Sequence, residues 1–116
     1  MKKKIGLKTA SPAQNRQADL ANAEQLAEKL FTGLLLPKNN QEMGKFMRDL
    51  CTPQEINALA ERWQVCKLLE AGQLSYREIN EVTGTSVATI TRVARFLHNE
   101  PHQGYRIVLD RLAKQK

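Results

Sequence analysis

The chain has 116 residues, of which 41% are hydrophobic and 5% aromatic, so it is long enough for one folded domain with an aliphatic core. No stretch approaches the roughly 18 apolar residues of a membrane span, and no apolar segment of a signal peptide follows the basic start, which predicts a cytoplasmic protein. The two cysteines have no metal-binding spacing and are interpreted as free thiols.

The net charge of +6 is concentrated at the N-terminus. Five of the 18 basic residues precede residue 17, which leaves 13 basic against 12 acidic residues in the rest of the chain. Residues 1–16 are therefore predicted to form a flexible basic arm, and residues 17–116 a single all-α domain. Such an arm is either a solvated tail or a nucleic-acid contact, and overall charge does not decide between the two.

Helix signals recur along the chain, whereas the sustained alternation that is typical of strands is absent. A first helix is predicted from about Pro12 to a stop at Pro37. A loop at "KNNQ" (38–41) and a short second helix over about 43–50 follow it. The chain as a whole is predicted to form six helices joined by short links.

Two capping boxes mark the starts of the next two helices. Thr52 with Glu55 opens a third helix that ends at Gly72, and Ser75 with Glu78 opens a short fourth helix. The third helix is apolar over much of its circumference. This pattern predicts a central helix that a second subunit covers in part.

A turn that contains Gly84 separates the fourth helix from a fifth, which runs from about Ser86 to His98. A last amphipathic helix follows Pro101. A short capped helix, a glycine-containing turn and a longer helix over about 75–98 form the layout of a helix-turn-helix. In that motif the second helix enters the DNA major groove.

The spacing of apolar residues supports this interpretation. Ile79 before the turn is predicted to meet Ile90 and Val93 after it, in the small core that joins the two helices. Asn80 and Thr83 depart from the commonest pattern, which has alanine and an aliphatic residue at these positions. An αα-hairpin with a solvated arginine face is the alternative interpretation of the same spacing.

The remaining faces of the two helices predict the DNA contacts. Thr89 can hydrogen-bond a base edge, and Ala88 or a threonine methyl group can contact the methyl group of thymine. Thr91, Arg92 and Arg95 are better placed for phosphates, which fix the register of a protein on DNA. The residues predicted to contact double-stranded DNA are Arg77, Asn80, Val87, Ala88, Thr89, Thr91, Arg92 and Arg95.

The chain resembles the bacterial tryptophan repressor family in "LCTPQE", "LAERWQV" and "LLEAGQLSYREINEVTGTSVATITR". Members of that family show L-T-P-x-E, L-x-x-R, L-L-x-G, S-x-R-E and I-A-T-I-T-R at the same spacings. The resemblance covers roughly residues 25–113, and "GYRIVLDRL" at 104–112 is more like an uncharacterised repressor-related branch. It implies a six-helix all-α fold and an intertwined homodimer that regulates transcription, as a repressor, from a palindromic operator.

The resemblance also implies a degenerate ligand pocket. The threonine and arginine that line the family's tryptophan pocket correspond to Thr52 and Arg62, and the arginine of A-T-I-T-R corresponds to Arg92. The family has glycine and serine where this chain has Val93 and Phe96, which add apolar bulk and offer nothing to an ammonium group. We therefore expect neither tryptophan as co-repressor nor any other cofactor.

No other group of residues in the sequence predicts a catalytic or metal-binding site. His98 and His102 are four residues apart, but Pro101 interrupts the helix between them, so no metal site is predicted. No nucleophile with a matching base and no phosphate-binding glycine loop is present, and an enzyme is not predicted. The alternative to a DNA-binding regulator is a protein-interaction or DNA-tethering module on the same fold. The acid-free segment 85–99, which carries two arginines, favours DNA.

Overall fold

A computed structural model describes residues 12–115 of the chain. These residues form six α-helices and no strand, which confirms the all-α prediction for this part of the chain. The helices are α1 (Pro12–Leu34), α2 (Asn40–Leu50), α3 (Pro53–Ala71), α4 (Tyr76–Thr83), α5 (Val87–His98) and α6 (Gly104–Lys114). Within the described range, none of them is both long and apolar enough to cross a membrane.

The chain divides into two compact units between Phe46 and Met47, where the sequence predicts a single domain over 17–116. The predicted arm extends to residue 16, but its last residues, 12–16, already belong to α1. The rest of that arm lies outside the described residues.

The predicted loop at "KNNQ" is wrong in its second half, because α2 begins at Asn40. Asn39 supplies the start signal that the sequence interpretation missed. Its side-chain Oδ1 accepts a hydrogen bond from the backbone N–H of Glu42 at 2.9 Å. An asparagine in this position satisfies one of the free N–H groups at the start of a helix, so α2 starts directly after it.

Both predicted capping boxes are confirmed. Thr52 Oγ1 accepts a hydrogen bond from the N–H of Glu55 at 3.1 Å, while Glu55 Oε1 accepts one from the N–H of Thr52 at 2.8 Å. Ser75 and Glu78 make the same reciprocal pair at 3.1 and 2.8 Å. Because these bonds satisfy the first N–H groups, α3 and α4 start where the sequence predicts.

The C-terminal ends of α3 and α4 are closed by the two predicted glycines. Gly72 has φ of 71° and Gly84 has φ of 75°, and each donates its backbone N–H to a carbonyl of the preceding helix. A side chain at either position would be strained in this left-handed conformation. The two glycines thereby allow short connections from α3 to α4 and from α4 to α5.

The core of the second unit lies among α3, α4, α5 and α6. Ile79, Ile90 and Val93 meet there, as the spacing predicts, and all three are at most 1% exposed. Among the described residues, the buried apolar side chains are Val65, Cys66, Ile79, Ile90, Val93, Ala94, Leu97 and Leu109. The helix-turn-helix is therefore built directly onto the core, with one face of α5 left outside it.

An ion pair fixes α6 to the end of α3. Arg106 donates from Nη1 to Glu70 Oε2 at 3.0 Å, and its Nη2 bonds the other carboxylate oxygen. Bidentate pairs of this kind are more specific in geometry than single-point contacts. Tyr105, the residue before this arginine, packs against the core.

Candidate nucleic-acid interface

Polar side chains hold the turn between α4 and α5. Asn80 Nδ2 donates to the carbonyl of Thr85 at 2.7 Å, and Thr83 Oγ1 donates to the carbonyl of Ile79 at 2.7 Å. Thr83 Oγ1 also accepts from the N–H of Thr85 at 3.0 Å. The two positions that depart from the commonest helix-turn-helix pattern are thus the ones that hydrogen-bond across this turn.

The sequence carried a signal for this network, because asparagine and threonine side chains readily bond to backbone a few residues away. The sequence analysis predicts instead that Asn80 contacts DNA. In the structure, Asn80 lies on the first helix of the helix-turn-helix. Its side-chain amide is half-buried and donates a hydrogen bond across the turn. Asn80 therefore contributes to the orientation of α5 relative to α4.

The first turn of α5 presents small and hydroxyl-bearing side chains. Val87 is 52% exposed, Ala88 is exposed and Thr89 is half-buried. Ser86 caps the helix by accepting from the N–H of Thr89 at 3.1 Å, and its hydroxyl also lies 3.0 Å from Thr89 Oγ1. This hydroxyl pair, which the sequence interpretation missed, fixes the side chain of Thr89 at the start of the helix.

Three arginine side chains lie on the two helices of the helix-turn-helix, and they differ in whether a carboxylate pairs with them. Arg77, on α4, pairs with Glu81 at 3.6 Å, and Arg95, on α5, pairs with Glu100 at 3.5 Å. Arg92 is exposed and has no carboxylate within ion-pair distance among the described residues. Thr91 is exposed beside it. Within α5 itself the polar surface is therefore cationic, and the first carboxylate lies just past the helix end.

Glu81 and Glu100 lie on either side of the acid-free segment 85–99, so that segment alone does not predict the two ion pairs. Both ion pairs are largely exposed, with 88% and 59% of the Arg77 and Arg95 side chains accessible. Exposed pairs contribute about 0–1 kcal/mol and are screened by salt. Either arginine can exchange its carboxylate for a phosphate at little cost.

The residues of the predicted ligand pocket have different surroundings in the structure. Thr52 uses its hydroxyl to cap α3, and Val93 is 1% exposed in the core. Arg62 is half-buried on α3. Phe96 is half-buried, and the guanidinium carbon of Arg92 lies 4.5 Å from the centre of its ring.

Two titratable groups near these residues have shifted pKa values. Burial raises the pKa of the Tyr105 phenol, Cys66 raises it further, and the charges of Arg62 and Arg92 lower it. Tyr105 thus lies within electrostatic reach of both arginines. Burial, and next the charge of Glu70, raise the pKa of the Cys66 thiol to about 11. Both groups are protonated at neutral pH, and Cys66 has the character of a core residue rather than a nucleophile.

No group of three or more metal-ligating side chains is brought together in the part of the chain that the structure describes. His98 and His102 are both exposed, and α5 ends at His98. Ser75 is an N-cap, as its capping box predicts. The cluster of positively charged and hydroxyl-bearing residues around α5 is the candidate site.

Known proteins match almost the whole of the described chain. The sequence profile of the family described as "Trp repressor protein" matches residues 24–113, a range that includes every residue predicted to contact DNA. The chain is 40% identical over 96 residues to "Uncharacterized protein YerC" of Bacillus subtilis (strain 168), covering 83% of this chain and 89% of that protein. It is 31% identical over 100 residues to a "Trp operon repressor homolog" of Vibrio atlanticus (strain LGP32), covering 85% and 97%.

A solved structure is similar as well. The TrpR like protein from Eubacterium eligens ATCC 27750 superimposes with a TM-score of 0.71 at 40% sequence identity, covering 77% of this chain and 90% of that chain. The likeness therefore extends from sequence to fold.

Proposed function

The chain belongs to the Trp repressor protein family, and on that premise we propose that it represses transcription in the cytoplasm by binding a palindromic operator as a homodimer. The family is one of DNA-binding regulators and not of enzymes. The observation that carries the proposal is the outward face of α5, where Val87 and Ala88 are exposed in the first turn and Arg92 and Arg95 are exposed in the later turns.

Base recognition is proposed for the first turn of α5. Exposed Val87 and Ala88 let the backbone come close to base edges and offer methyl groups to thymine. Thr89 keeps a hydroxyl proton to donate, since its oxygen is already paired with the Ser86 hydroxyl. These side chains suit the major groove, where donors, acceptors and methyl groups distinguish the base pairs.

Backbone recognition is proposed for the residues around that turn. Arg92, Arg95 and Thr91 are exposed on α5, and Arg77 is exposed at the start of α4. Their charges neutralise phosphates and release counterions, which gives affinity that falls with salt. Asn80 is proposed to contact DNA at the edge of this surface. It also contributes indirectly, because its hydrogen bond holds the turn between α4 and α5.

A second copy of the chain is proposed to cover α1. Leu26 is 65% exposed and Phe31 53% exposed on this helix, and Leu35, the residue after it, is 84% exposed. Apolar surface contributes about 25 cal/mol for each Å² removed from water, so side chains of this size favour association. Two α5 helices in a two-fold dimer reach half-sites about one helical turn apart.

Tryptophan is proposed not to be the co-repressor. Val93 is 1% exposed in the core and fills the space that glycine leaves open in the family, and the hydroxyl oxygen of Thr52 already accepts a hydrogen bond in the cap of α3. Phe96 presents a ring where the family has a serine, and Arg92 already covers that ring. The residues present do not fit a zwitterionic amino acid, because its ammonium group has no acceptor there.

The alternative function is a protein-interaction or DNA-tethering module on the same fold. Two apolar side chains of α4 favour it, since Val82 is 66% exposed and Tyr76 43% exposed beside the candidate site. A module of this kind does not need base recognition. Binding that does not depend on DNA sequence distinguishes it from the proposed regulator.

The test is selection of duplexes from a random DNA pool, with and without millimolar tryptophan, followed by binding measurements at several salt concentrations. We expect a palindromic consensus, affinity that falls steeply with salt, and no tightening by tryptophan. Thr89→Ala should relax sequence preference, whereas Arg95→Ala should weaken binding to all sequences and lower the salt slope by about one. Absence of binding at low salt contradicts DNA recognition, and strong tightening by tryptophan contradicts the ligand assignment.

A further inference from the structure

The ring of Phe96 lies under two guanidinium groups of the candidate DNA face. The guanidinium carbon of Arg92 is 4.5 Å from the ring centre, and that of Arg95 is 5.2 Å from it. Both distances are within the roughly 6 Å over which a cation is attracted to the face of an aromatic ring. One aromatic side chain therefore links two cations that lie three residues apart on α5.

Core packing does not account for this ring. Phe96 is half-buried, but it is absent from the partly buried apolar side chains that pack against the core of residues 47–115. Its neighbour Leu97 is 4% exposed and belongs to that core. The ring does lie beneath the guanidiniums of Arg92 and Arg95, and both of these residues are exposed on α5.

Arg92 depends more than Arg95 on the ring of Phe96 to hold its guanidinium in place. Arg95 also pairs with Glu100, at 3.5 Å, so it is held from two sides. Arg92 has no ion pair among the described residues, and the ring is the partner that holds its guanidinium. An arginine on a flexible stem loses conformational entropy when it binds a phosphate, and a ring that fixes it beforehand reduces that loss.

We propose that Phe96 is a positioning residue for DNA-backbone binding, whose ring holds the guanidiniums of Arg92 and Arg95 in place for phosphates. The proposal rests on the proposed DNA-binding function and assigns the phosphate-binding pose to a side chain that itself contacts no DNA. The pose is built into the free chain and needs no small molecule. Affinity for duplexes of any sequence depends on it, since phosphates are common to all of them.

The test compares Phe96→Leu, which keeps apolar volume and removes the ring, with Phe96→Trp, which keeps a ring. The probe is a labelled duplex of scrambled sequence at low salt. Loss of a cation–π contact at exposed sites reduces affinity about two- to five-fold in each subunit, so a dimer should lose about four- to twenty-five-fold in Phe96→Leu. Phe96→Trp should stay within about two-fold of the wild type, since tryptophan is the strongest cation–π partner.

A second arm separates positioning from packing. In a chain that also carries Arg92→Gln and Arg95→Gln, Phe96→Leu should change affinity no further, because no guanidinium remains to be held. In the free wild-type protein, the side-chain protons of both arginines should show upfield ring-current shifts that Phe96→Leu removes. The melting temperature is measured in parallel to verify that each variant is folded.

The outcomes are distinct. Wild-type affinity in Phe96→Leu, or an equal loss with and without the two arginines, overturns the positioning role while leaving DNA binding intact. Arginine protons without ring-current shifts overturn it as well. Failure of the wild type to bind any duplex removes the proposed function, and this proposal with it.

Discussion

The two compact units of the chain bury their apolar side chains to very different extents. From residue 15 to residue 34, no side chain of α1 is buried, and Leu20 and Leu26 are each 65% exposed. In residues 47–115, eight apolar side chains are buried, and Ile79 and Ile90 are 0% exposed. The comparison teaches that an apolar stripe at helical spacing predicts a face to be covered and does not identify what covers it.

Helix length gives the physical reason for the difference. α1 has 23 residues and α2 has 11, which at 1.5 Å per residue correspond to roughly 35 and 17 Å. A helix as short as α2 cannot cover the full length of α1. The second unit contains α3 to α6, joined by short connections, so these helices form a shared core of buried apolar side chains, while others such as Val82 stay exposed.

The largest loss of stability is expected from a substitution that leaves a cavity in the core of the second unit. Ile90→Ala removes a fully buried side chain that joins α5 to the core. The free energy of unfolding should fall by about 2–5 kcal/mol, because the transfer energy of the removed atoms and the cost of the cavity add. Urea denaturation followed by circular dichroism measures it. A change below about 1 kcal/mol would contradict the assignment of Ile90 to the core.

A smaller effect is expected from Leu26→Ala in α1. This substitution should weaken the association of two subunits rather than lower the free energy of unfolding. Each subunit of Leu26→Ala loses roughly 1 kcal/mol of apolar burial, so the dissociation constant of the dimer should rise about ten- to a hundred-fold. Analytical ultracentrifugation over a dilution series measures it.

Gln25→Ala is the matched control, since residue 25 is exposed on the side of α1 opposite the leucines. It should leave the dissociation constant unchanged. A wild-type chain that is monomeric at all concentrations, or Leu26→Ala with unchanged assembly, shows that something other than a second copy covers α1.

The smallest effects are expected from two N-caps, one in each unit. Ser75 caps α4 at 3.1 Å, and Asn39 caps α2 at 2.9 Å. Ser75→Ala should lower the free energy of unfolding by about 1 kcal/mol, and Ser75→Gly by only a few tenths. Asn39→Ala should accelerate amide hydrogen exchange in α2 with a smaller change in global unfolding, because no side chain of α2 is buried.

Denaturant unfolding measures the stability of the whole chain, and hydrogen exchange measures the local opening of a helix. Together they show whether a cap stabilises the whole chain or only its own helix. Equal losses of global stability from Asn39→Ala and Ser75→Ala would show that the two units unfold as one cooperative body. Such a result would remove the energetic contrast between them.

Much of the fold and part of the site were accessible from the sequence. The capping residues Thr52 and Ser75 and the glycines at 72 and 84 act within a few residues of their partners, so local chemistry fixes where α3 and α4 begin and end. The start of α2 at Asn40 was missed because its cap, Asn39, was counted with the loop.

The parts of the site that were missed depend on distances that a sequence does not contain. The pairing of Arg95 with Glu100 joins the end of α5 to the segment after it, and the ring of Phe96 serves two arginines at once. The bond of the Asn80 amide across the turn is a further contact of this kind, and the contact of Asn80 with DNA stays a prediction. A flexible side chain can reach several groups, and the path of the backbone decides which of them it meets.

The sequence by itself determined six helices, the caps of α3 and α4, the helix-turn-helix and the apolar residues that join its two helices, because helical period and capping are local properties. Only the tertiary structure decided which apolar faces are buried within the chain, which arginines are paired and what holds Arg92. Burial and side-chain pairing depend on how separate segments meet in space. That arrangement leaves α1 open to a partner and sets Phe96 beneath the arginines of α5.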